Sequence, residues 1–283
     1  MLPYDVLIGN YIKHKYPKVK VDFIKPGEIS QKRLKKNDLN FMMIYDLLEA
    51  FHVNGKSKAD HFERILKRSN NIFPPYKYQK LIYNKDMYYK YLEKKKIQVV
   101  PTYSIDRTKW NKNKKLYTKK LLEKIKHNKW KKFIGKPVYG QESKHFKKFN
   151  NMKFEPLFAY LVKMMKLYPN VCIQEYVEGF DKENPELRMY FVGNKYKYSI
   201  ITTNSNVWKL ASDYKGKGKA KRGYKVIPDD AKYKALAKKT IKVLPDIVIQ
   251  GVKLPKLLTR IDVASGLEGK KVTSTLIRER LLS

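Results

Sequence analysis

The sequence predicts an α/β protein, of the α+β type, made of more than one compact lobe. Segments with apolar residues at helical spacing alternate along the chain with short segments rich in β-branched and aromatic residues. The chain has 283 residues, of which 42% are hydrophobic, and this is enough apolar material for two or three cores. The same composition argues against a disordered chain.

The first part of the chain, residues 1–82, is predicted to be a small α/β lobe. Residues 6–10 and 19–24 are predicted strands, the second because apolar and polar residues alternate along it. Helices are predicted over residues 41–51 and 61–68, since their apolar residues recur at helical spacing. Such an alternation of strands and helices is compatible with a lobe that packs ahead of a catalytic region.

The middle of the chain is predicted to alternate helices with β segments. In chain order these are a helix at 84–96, a β segment at 97–103, a helix at 116–126, a strand at 130–138, a helix at 156–167 and a strand at 171–177. The first helix ends in three lysines, which suit the negative end of the helix dipole. Its apolar residues lie on one face, so we expect it to pack against a core.

The last part is predicted to contain a β-hairpin, a helix and further strands. The hairpin joins residues 186–192 to residues 196–202 through Gly193-Asn194-Lys195, a sequence typical of a tight turn. The later elements are a helix at 230–244, a strand at 256–263, a turn at 265–269 and a candidate strand at 271–277.

Charge and cysteine content narrow the class of protein. The formal net charge is +37, yet only 9 of the 63 basic residues are arginines and the other 54 are lysines. Base readout favours arginine, so this composition disfavours sequence-specific nucleic-acid recognition and leaves non-specific polyanion binding open. The single cysteine, Cys172, cannot form an intramolecular disulfide, no secretory signal is recognisable and no apolar run is long enough for a membrane span. We therefore expect a cytoplasmic, reducing compartment and no membrane partner.

Five short motifs in a fixed order carry the functional signal. They are Asn84-Lys85-Asp86 leading to Pro101-Thr102, then Gly135-Lys136-Pro137, Gln174-Glu175-Tyr176-Val177, Glu186-Leu187-Arg188 and Arg260-Ile261-Asp262. A lysine at the end of an apolar strand, such as Lys136, is costly to bury unless an anion lies opposite it. Each motif also has a structural interpretation: a solvated lysine, a buried core strand or a surface ion pair.

In this order and at this spacing, the motifs resemble those of the ATP-grasp superfamily, over about residues 83–263. The branch that they resemble contains glutathione synthetases, D-alanine–D-alanine ligases and ribosomal-protein glutamate ligases. The resemblance implies an ATP-grasp fold, in which two α+β lobes, residues 83–178 and 179–283, clasp ATP. Residues 1–82 would then be a pre-ATP-grasp lobe, and the chain ends at Ser283 close to where the C-terminal lobe would complete its site.

The resemblance also implies the cofactors ATP and Mg²⁺ and a role for each motif. The phosphates would be contacted by Lys85 and Lys136, and a loop containing Gly140 and Ser143 would close over them. Adenine would be bound by Glu175, Tyr176 and Val177, and the ribose by Glu186. The metal would be held by Asp262, while Arg188 and Arg260 would act on the transferring group.

The implied reaction is an ATP- and Mg²⁺-dependent ligation that joins a small-molecule or peptide carboxylate to an amine or thiol through an acyl phosphate. Two alternatives stay open. The basic loop at residues 214–225 would suit an ATP-grasp kinase acting on an inositol-phosphate-like polyanion. The strand at 271–277 has no acid and no Asn to complete a metal site, which favours a non-catalytic protein that binds ATP or a polyanion.

Overall fold

The computed structural model describes residues 4–42, 56–140, 145–177, 187–202, 224–226, 231–265 and 272–278. The helices are α1 (Tyr4–Lys15), α2 (Gln31–Leu34), α3 (Lys56–Arg68), α4 (Tyr76–Tyr83), α5 (Lys85–Lys94), α6 (Arg107–Lys112), α7 (Lys114–His127), α8 (Phe154–Leu167) and α9 (Ala231–Val243), with a 3₁₀ turn at Pro26–Glu28. The strands are β1 (Asn40–Phe41), β2 (Ile72–Phe73), β3 (Thr102–Asp106), β4 (Phe133–Pro137), β5 (Lys147–Phe149), β6 (Asn170–Glu175), β7 (Leu187–Val192), β8 (Lys195–Thr202), β9 (Tyr224–Val226), β10 (Ile247–Ile249), β11 (Val252–Leu254), β12 (Leu258–Ser265) and β13 (Val272–Arg278).

The central sheet consists of β3, β6, β4 and β5 in that order, and all of its pairs are antiparallel. One face packs against α7 and α8 in a shared apolar cluster, to which β4 and β6 contribute Phe133, Val171 and Ile173. Because side chains alternate along a strand, Lys136 and Gln174 point to the opposite face. This second face of the central sheet is therefore the one that carries polar groups.

Gly135 lies on the packed face of β4, where α8 approaches the backbone closely. A Cβ atom at this position would lie 2.4 Å from Cε1 of Tyr160, a buried side chain whose hydroxyl donates to the backbone oxygen of His145 at 2.9 Å. The site has no room for even one methyl group unless the ring moves, and such overpacking is destabilising. Glycine thus lets α8 pack directly onto the strand that carries Lys136.

We expect Gly135→Ala to lower the free energy of unfolding by about 1–3 kcal/mol, measured by urea denaturation. Gly27→Ala is the matched control, because a Cβ atom there would meet no heavy atom within 4 Å. Equal stabilities of the two variants would contradict the close packing of α8 on β4.

The C-terminal sheet has the strand order β13, β12, β7, β8, β9 in the described part of the chain, again with antiparallel pairs. One of its faces is apolar, and its buried residues pack with those of α4, α5 and α9. The other face carries Arg188 and Tyr190 on β7 and their register partners Asp262 and Arg260 on β12. We call these four positions, with the register partners of Asp262 and Arg260 on β13, the arginine face.

The two apolar clusters of the structure group the residues differently from the lobes that the sequence predicts. The cluster of the central sheet also contains Leu34, Phe62 and Leu66 from the first part of the chain. The cluster of the C-terminal sheet contains Tyr88 and Leu92 of α5. Helix α5 thus packs with the C-terminal sheet although it precedes the central sheet in sequence, and the predicted lobe boundaries at residues 83 and 179 stay predictions.

Most predicted elements after residue 60 are confirmed, with bounds shifted by a few residues. Helices α3, α5, α7, α8 and α9 and strands β4, β6, β7, β8, β12 and β13 lie where the sequence placed them. The hairpin turn is also confirmed, since Gly193 and Asn194 have φ values of 56° and 67°. The β segment predicted at 97–103 pairs with a neighbouring strand only from Thr102 onwards. Of the turn predicted at 265–269, Ser265 is the last residue of β12, and residues 266–269 lie outside the described part of the chain.

The predicted strands of the first lobe are wrong. Residues 6–10 belong to α1, and residues 19–24 form neither strand nor helix. A strand needs a neighbouring edge for its backbone groups, whereas α1 satisfies them locally; Phe23 instead packs its ring against Gly9. Of the helix predicted over residues 41–51, Phe41 lies in β1, which pairs with β2, and residues 43–51 lie outside the described part. No described helix is both long and apolar enough to span a bilayer.

Candidate functional site

Lys136 is held in one position on the polar face of the central sheet. Its Nζ donates to the hydroxyl of Tyr89 on α5 and to Oε1 of Gln174 on β6, each at 2.8 Å. The side chain is half-buried, and none of the acids in the described part of the chain forms an ion pair with it. An ammonium group has three N–H donors, so two are fixed by neutral acceptors, and no carboxylate of the described residues balances the positive charge.

Gln174 is oriented by its own hydrogen bonds. It is only 5% exposed, and its Nε2 donates to Oγ1 of Thr102 at 2.7 Å. That hydroxyl donates in turn to the backbone oxygen of Val100 at 2.8 Å, so it can only accept from Gln174. The amide oxygen of Gln174 must therefore face Lys136, and this oxygen holds the ammonium group in place.

Lys85 joins the start of α5 to the end of β4. Asn84 caps the helix by accepting from the N–H of Met87 at 3.0 Å, and Lys85 is the first helical residue. The backbone N–H of Lys85 donates to the oxygen of Val138 at 3.0 Å, and its Nζ donates to the oxygen of Gly140 at 2.5 Å. The structure thus brings Lys85 and Gly140 together, whereas Ser143 lies outside the described residues.

The segment 175–177 begins at the last residue of β6 and continues beyond the strand. The N–H of Glu175 donates to the oxygen of Pro101 at 3.0 Å, and the N–H of Tyr176 donates the other way, to the oxygen of Lys132 at 3.1 Å. The ammonium group of Lys148 on β5 lies 3.5 Å from the ring centroid of Tyr176, a cation–π contact. Val177 is half-buried. Both flanks of this segment are therefore held by the central sheet.

Arg260 and Asp262 form a buried ion pair on the arginine face. Nε of Arg260 donates to Oδ1 of Asp262 at 2.6 Å, and Nη2 donates to Oδ2 at 2.7 Å. Both side chains have 0% of their surface exposed. The two residues are separated by one position on β12, so they point to the same face and the guanidinium can bridge both carboxylate oxygens. Arg188 lies next to them, because it is the register partner of Asp262; Glu186 is outside the described residues.

Helix α5 connects the two groups of charged residues. Tyr89 bonds Lys136 through its hydroxyl, while Tyr89 itself packs in the apolar cluster of the C-terminal sheet with Met189 and Ile261. The polar face of the central sheet is therefore linked through one helix to the sheet that carries Arg260 and Asp262.

Comparison with known proteins decides the fold. No protein-family model and no curated protein matches the chain by sequence. Among solved structures, D-cycloserine synthetase DcsG is similar with a TM-score of 0.66 and 16% identity, over 98% of this chain and 85% of DcsG. D-alanyl-alanine synthetase A from Vibrio cholerae is similar with a TM-score of 0.50 and 14% identity, over 72% of this chain and 57% of that protein. The chain has the ATP-grasp fold.

Two side chains that hold Lys136 are absent from the site that the sequence predicts. Tyr89 and the side chain of Gln174 hold Lys136, but neither was assigned to the site. A signal for Tyr89 exists, because it follows Lys85 by four residues and so lies on the same face of α5. A signal for Gln174 exists as well, since the alternation of β6 puts a polar residue on a face shared with Lys136.

Burial raises the pKa of Glu175 above its ordinary value. The folded state then holds a proton more tightly than the unfolded chain does, so this residue lowers stability as the pH rises above the unfolded pKa of about 4.3. We expect Glu175→Gln to increase the free energy of unfolding at pH 7 and to have no such effect below about pH 4. Urea denaturation at both pH values measures it. A variant that is equally stabilised at both pH values would contradict desolvation of the carboxylate as the cause.

The described residues do not assemble a magnesium site. Both oxygens of Asp262, the carboxylate predicted to bind Mg²⁺, accept hydrogen bonds from Arg260. The described part contains no group of three or more His, Cys, Asp or Glu side chains that could hold a metal ion. Across β13 the register partners of Ala264, Asp262 and Arg260 are Ser274, Leu276 and Arg278, none of them an acid. This donor set does not fit Mg²⁺, which prefers carboxylate oxygens.

Proposed function

We propose that the chain binds ATP between the central and C-terminal sheets and uses it to activate a carboxylate for ligation. The observation that carries the proposal is the state of Lys136. Its ammonium group is half-buried, held by two neutral acceptors and not paired with a described acid. A fixed cation of this kind is costly without an anion nearby, and a phosphate group supplies one.

The edge beside Pro101 supports adenine binding. Glu175 gives its N–H to the oxygen of Pro101, but proline has no N–H with which to return a hydrogen bond to the Glu175 carbonyl. Because the N–H of Tyr176 points the other way, continued extension directs the N–H of Val177 to the same edge as that carbonyl. One acceptor and one donor at this spacing match the amino group and the neighbouring ring nitrogen of adenine.

The reaction consists of two displacements. A carboxylate oxygen attacks the γ-phosphorus of ATP, the bond from that phosphorus to ADP breaks, and an acyl phosphate forms. An amine or thiol then attacks the acyl carbon, phosphate leaves, and the attacking group loses a proton. The chain would hold the reactants in line and neutralise the moving negative charge with Lys136, Arg188 and Arg260. No step is assigned to magnesium.

The names of the similar structures agree with ligation, since both are synthetases. ADP formation with a panel of amino acids and small peptides, supplied alone and in pairs with ATP, tests the reaction. We expect ADP and an amide or thioester product only when both a carboxylate and an acceptor are present. ADP formation when an inositol phosphate is supplied with ATP, and no amine or thiol is present, would instead indicate a kinase. The loop expected to bind that substrate, residues 214–225, lies largely outside the described residues.

A second candidate is a protein that binds ATP without turning it over. The register of β13 favours it, because Ser274, Leu276 and Arg278 place no carboxylate beside Asp262. ATP that binds but yields no ADP with the whole panel would favour this candidate over the ligase.

A further inference from the structure

We propose that Tyr190 and Tyr198 form a platform on which the protein stacks the ring of an aromatic amino acid whose carboxylate it activates. This inference rests on the proposed function and adds the class of substrate that the site selects. Tyr190 on β7 and Tyr198 on β8 are partners in the register of the C-terminal sheet, and we call them the tyrosine pair. Their rings are stacked, with centroids 4.7 Å apart and an interplanar angle of 18°.

The tyrosine pair presents ring surface to solvent. Tyr198 is 46% exposed, and Tyr190 is half-buried. By contrast, the stacked rings of Phe133 and Phe149 in the central sheet are 0% and 4% exposed, so their surface is already used by the core. Covering an exposed ring with another ring removes apolar area from water and adds the attraction between stacked aromatic groups. The tyrosine pair therefore offers the surface that a substrate ring needs.

A β-bulge directs Tyr198 to the arginine face. Tyr198 lies opposite Tyr190, whereas Tyr196 lies opposite the next residue of β7, so β8 has one extra residue at this point. In a regular strand Tyr196 and Tyr198 would point to the same face of the sheet. The extra residue instead lets Tyr196 pack edge-on against Phe191, a buried residue of the apolar face, while Tyr198 stacks on Tyr190. Bulges often re-aim a side chain next to an active site, and this one places a second ring beside the first.

The position of the tyrosine pair relative to Arg188 suits an amino acid. Arg188 precedes Tyr190 by two residues, so both lie on the arginine face, about 6.5 Å apart along β7. In the proposed reaction the activated carboxylate lies beside Arg188. Two carbon atoms separate the carboxylate of an aromatic amino acid from its ring, which gives a comparable span. One such molecule can therefore reach both groups.

The surroundings favour an aromatic side chain over a cationic one. Ile200, the register partner of Arg188 on β8, is apolar and half-buried, so the arginine face is apolar on the side of Tyr198. A cationic side chain can also bind the face of a tyrosine ring, but the net charge of +37 repels it. A neutral aromatic ring meets no such repulsion.

The formation of hydroxamate by the full chain tests the inference, with ATP, Mg²⁺ and hydroxylamine as the amine. Phenylalanine, cyclohexylalanine, alanine and lysine, each as both enantiomers, are compared by kcat/KM. We expect phenylalanine to exceed alanine by at least about tenfold and cyclohexylalanine by about threefold, because stacking adds to the burial of apolar area. Tyr198→Ile should lower the preference for phenylalanine over alanine by about fivefold, chiefly through KM, and Tyr198→Phe should retain it.

Tyr11→Ile is the matched control, since Tyr11 is an exposed tyrosine of α1 and should leave the preference unchanged. Hydroxamate formation that does not favour phenylalanine over alanine, or that favours lysine, would overturn the inference and leave the proposed function standing. A preference that persists in both Tyr198→Ile and Tyr190→Ile would have the same consequence. If none of the four amino acids gives hydroxamate, the inference is also wrong, and the wider panel of carboxylates and acceptors decides the proposed function separately. The preference of the unaltered protein does not depend on any variant folding.

Discussion

Replacing Asp262 by Asn is expected to lower the free energy of unfolding by about 3–5 kcal/mol. The two carboxylate oxygens neutralise Arg260, and neither side chain is exposed, so water cannot take over this role. The substitution keeps the shape of the side chain but leaves a buried guanidinium without its counter-charge. Urea denaturation followed by circular dichroism measures the loss.

Two further variants show whether the loss of stability comes from the burial of this ion pair or would follow the loss of any ion pair. Asp22→Asn removes the partner of Arg33 in an exposed pair of 2.9 Å, and we expect a change below about 1 kcal/mol. The double variant Arg260→Met, Asp262→Leu removes both charges at once and should be more stable than Asp262→Asn. If Asp262→Asn is no less stable than Asp22→Asn, the ion pair does not stabilise the C-terminal sheet.

The elements that the sequence predicted well are those whose patterns are local. Helix α5 has a capping Asn84 before it and apolar residues at helical spacing, and the structure confirms both features. The hairpin between β7 and β8 is another case, because Gly193 and Asn194 tolerate the left-handed conformation of the turn. Resemblance to ATP-grasp proteins also led to the correct fold, since its motifs occur in a fixed order.

The elements that were predicted incorrectly depend on partners that the local sequence does not specify. The apolar residues of 6–10 suit a strand or a helix equally, and the structure forms a helix there, which satisfies its own backbone groups. Within the site, alternation along β12 put Arg260 and Asp262 on one face, but only burial of that face turns them into a closed ion pair. Likewise, the register between β12 and β13 fixes which residues of β13 lie beside Asp262, and register is set by the whole sheet.

Replacing Lys136 by Ala is expected to raise the dissociation constant for ATP by about 30- to 100-fold, on the order of 2–3 kcal/mol. The ammonium group is pre-positioned by Tyr89 and Gln174, so the protein spends little entropy in directing it at a phosphate. Thermal stabilisation measures the effect, because ATP at one hundred times its dissociation constant adds roughly 2.7 kcal/mol to the unaltered protein. Lys131→Ala is the matched control, since Lys131 is exposed just before the same strand. Equal stabilisation of both variants by ATP would mean that the ammonium group of Lys136 does not face a nucleotide, and the proposed site would have to be abandoned.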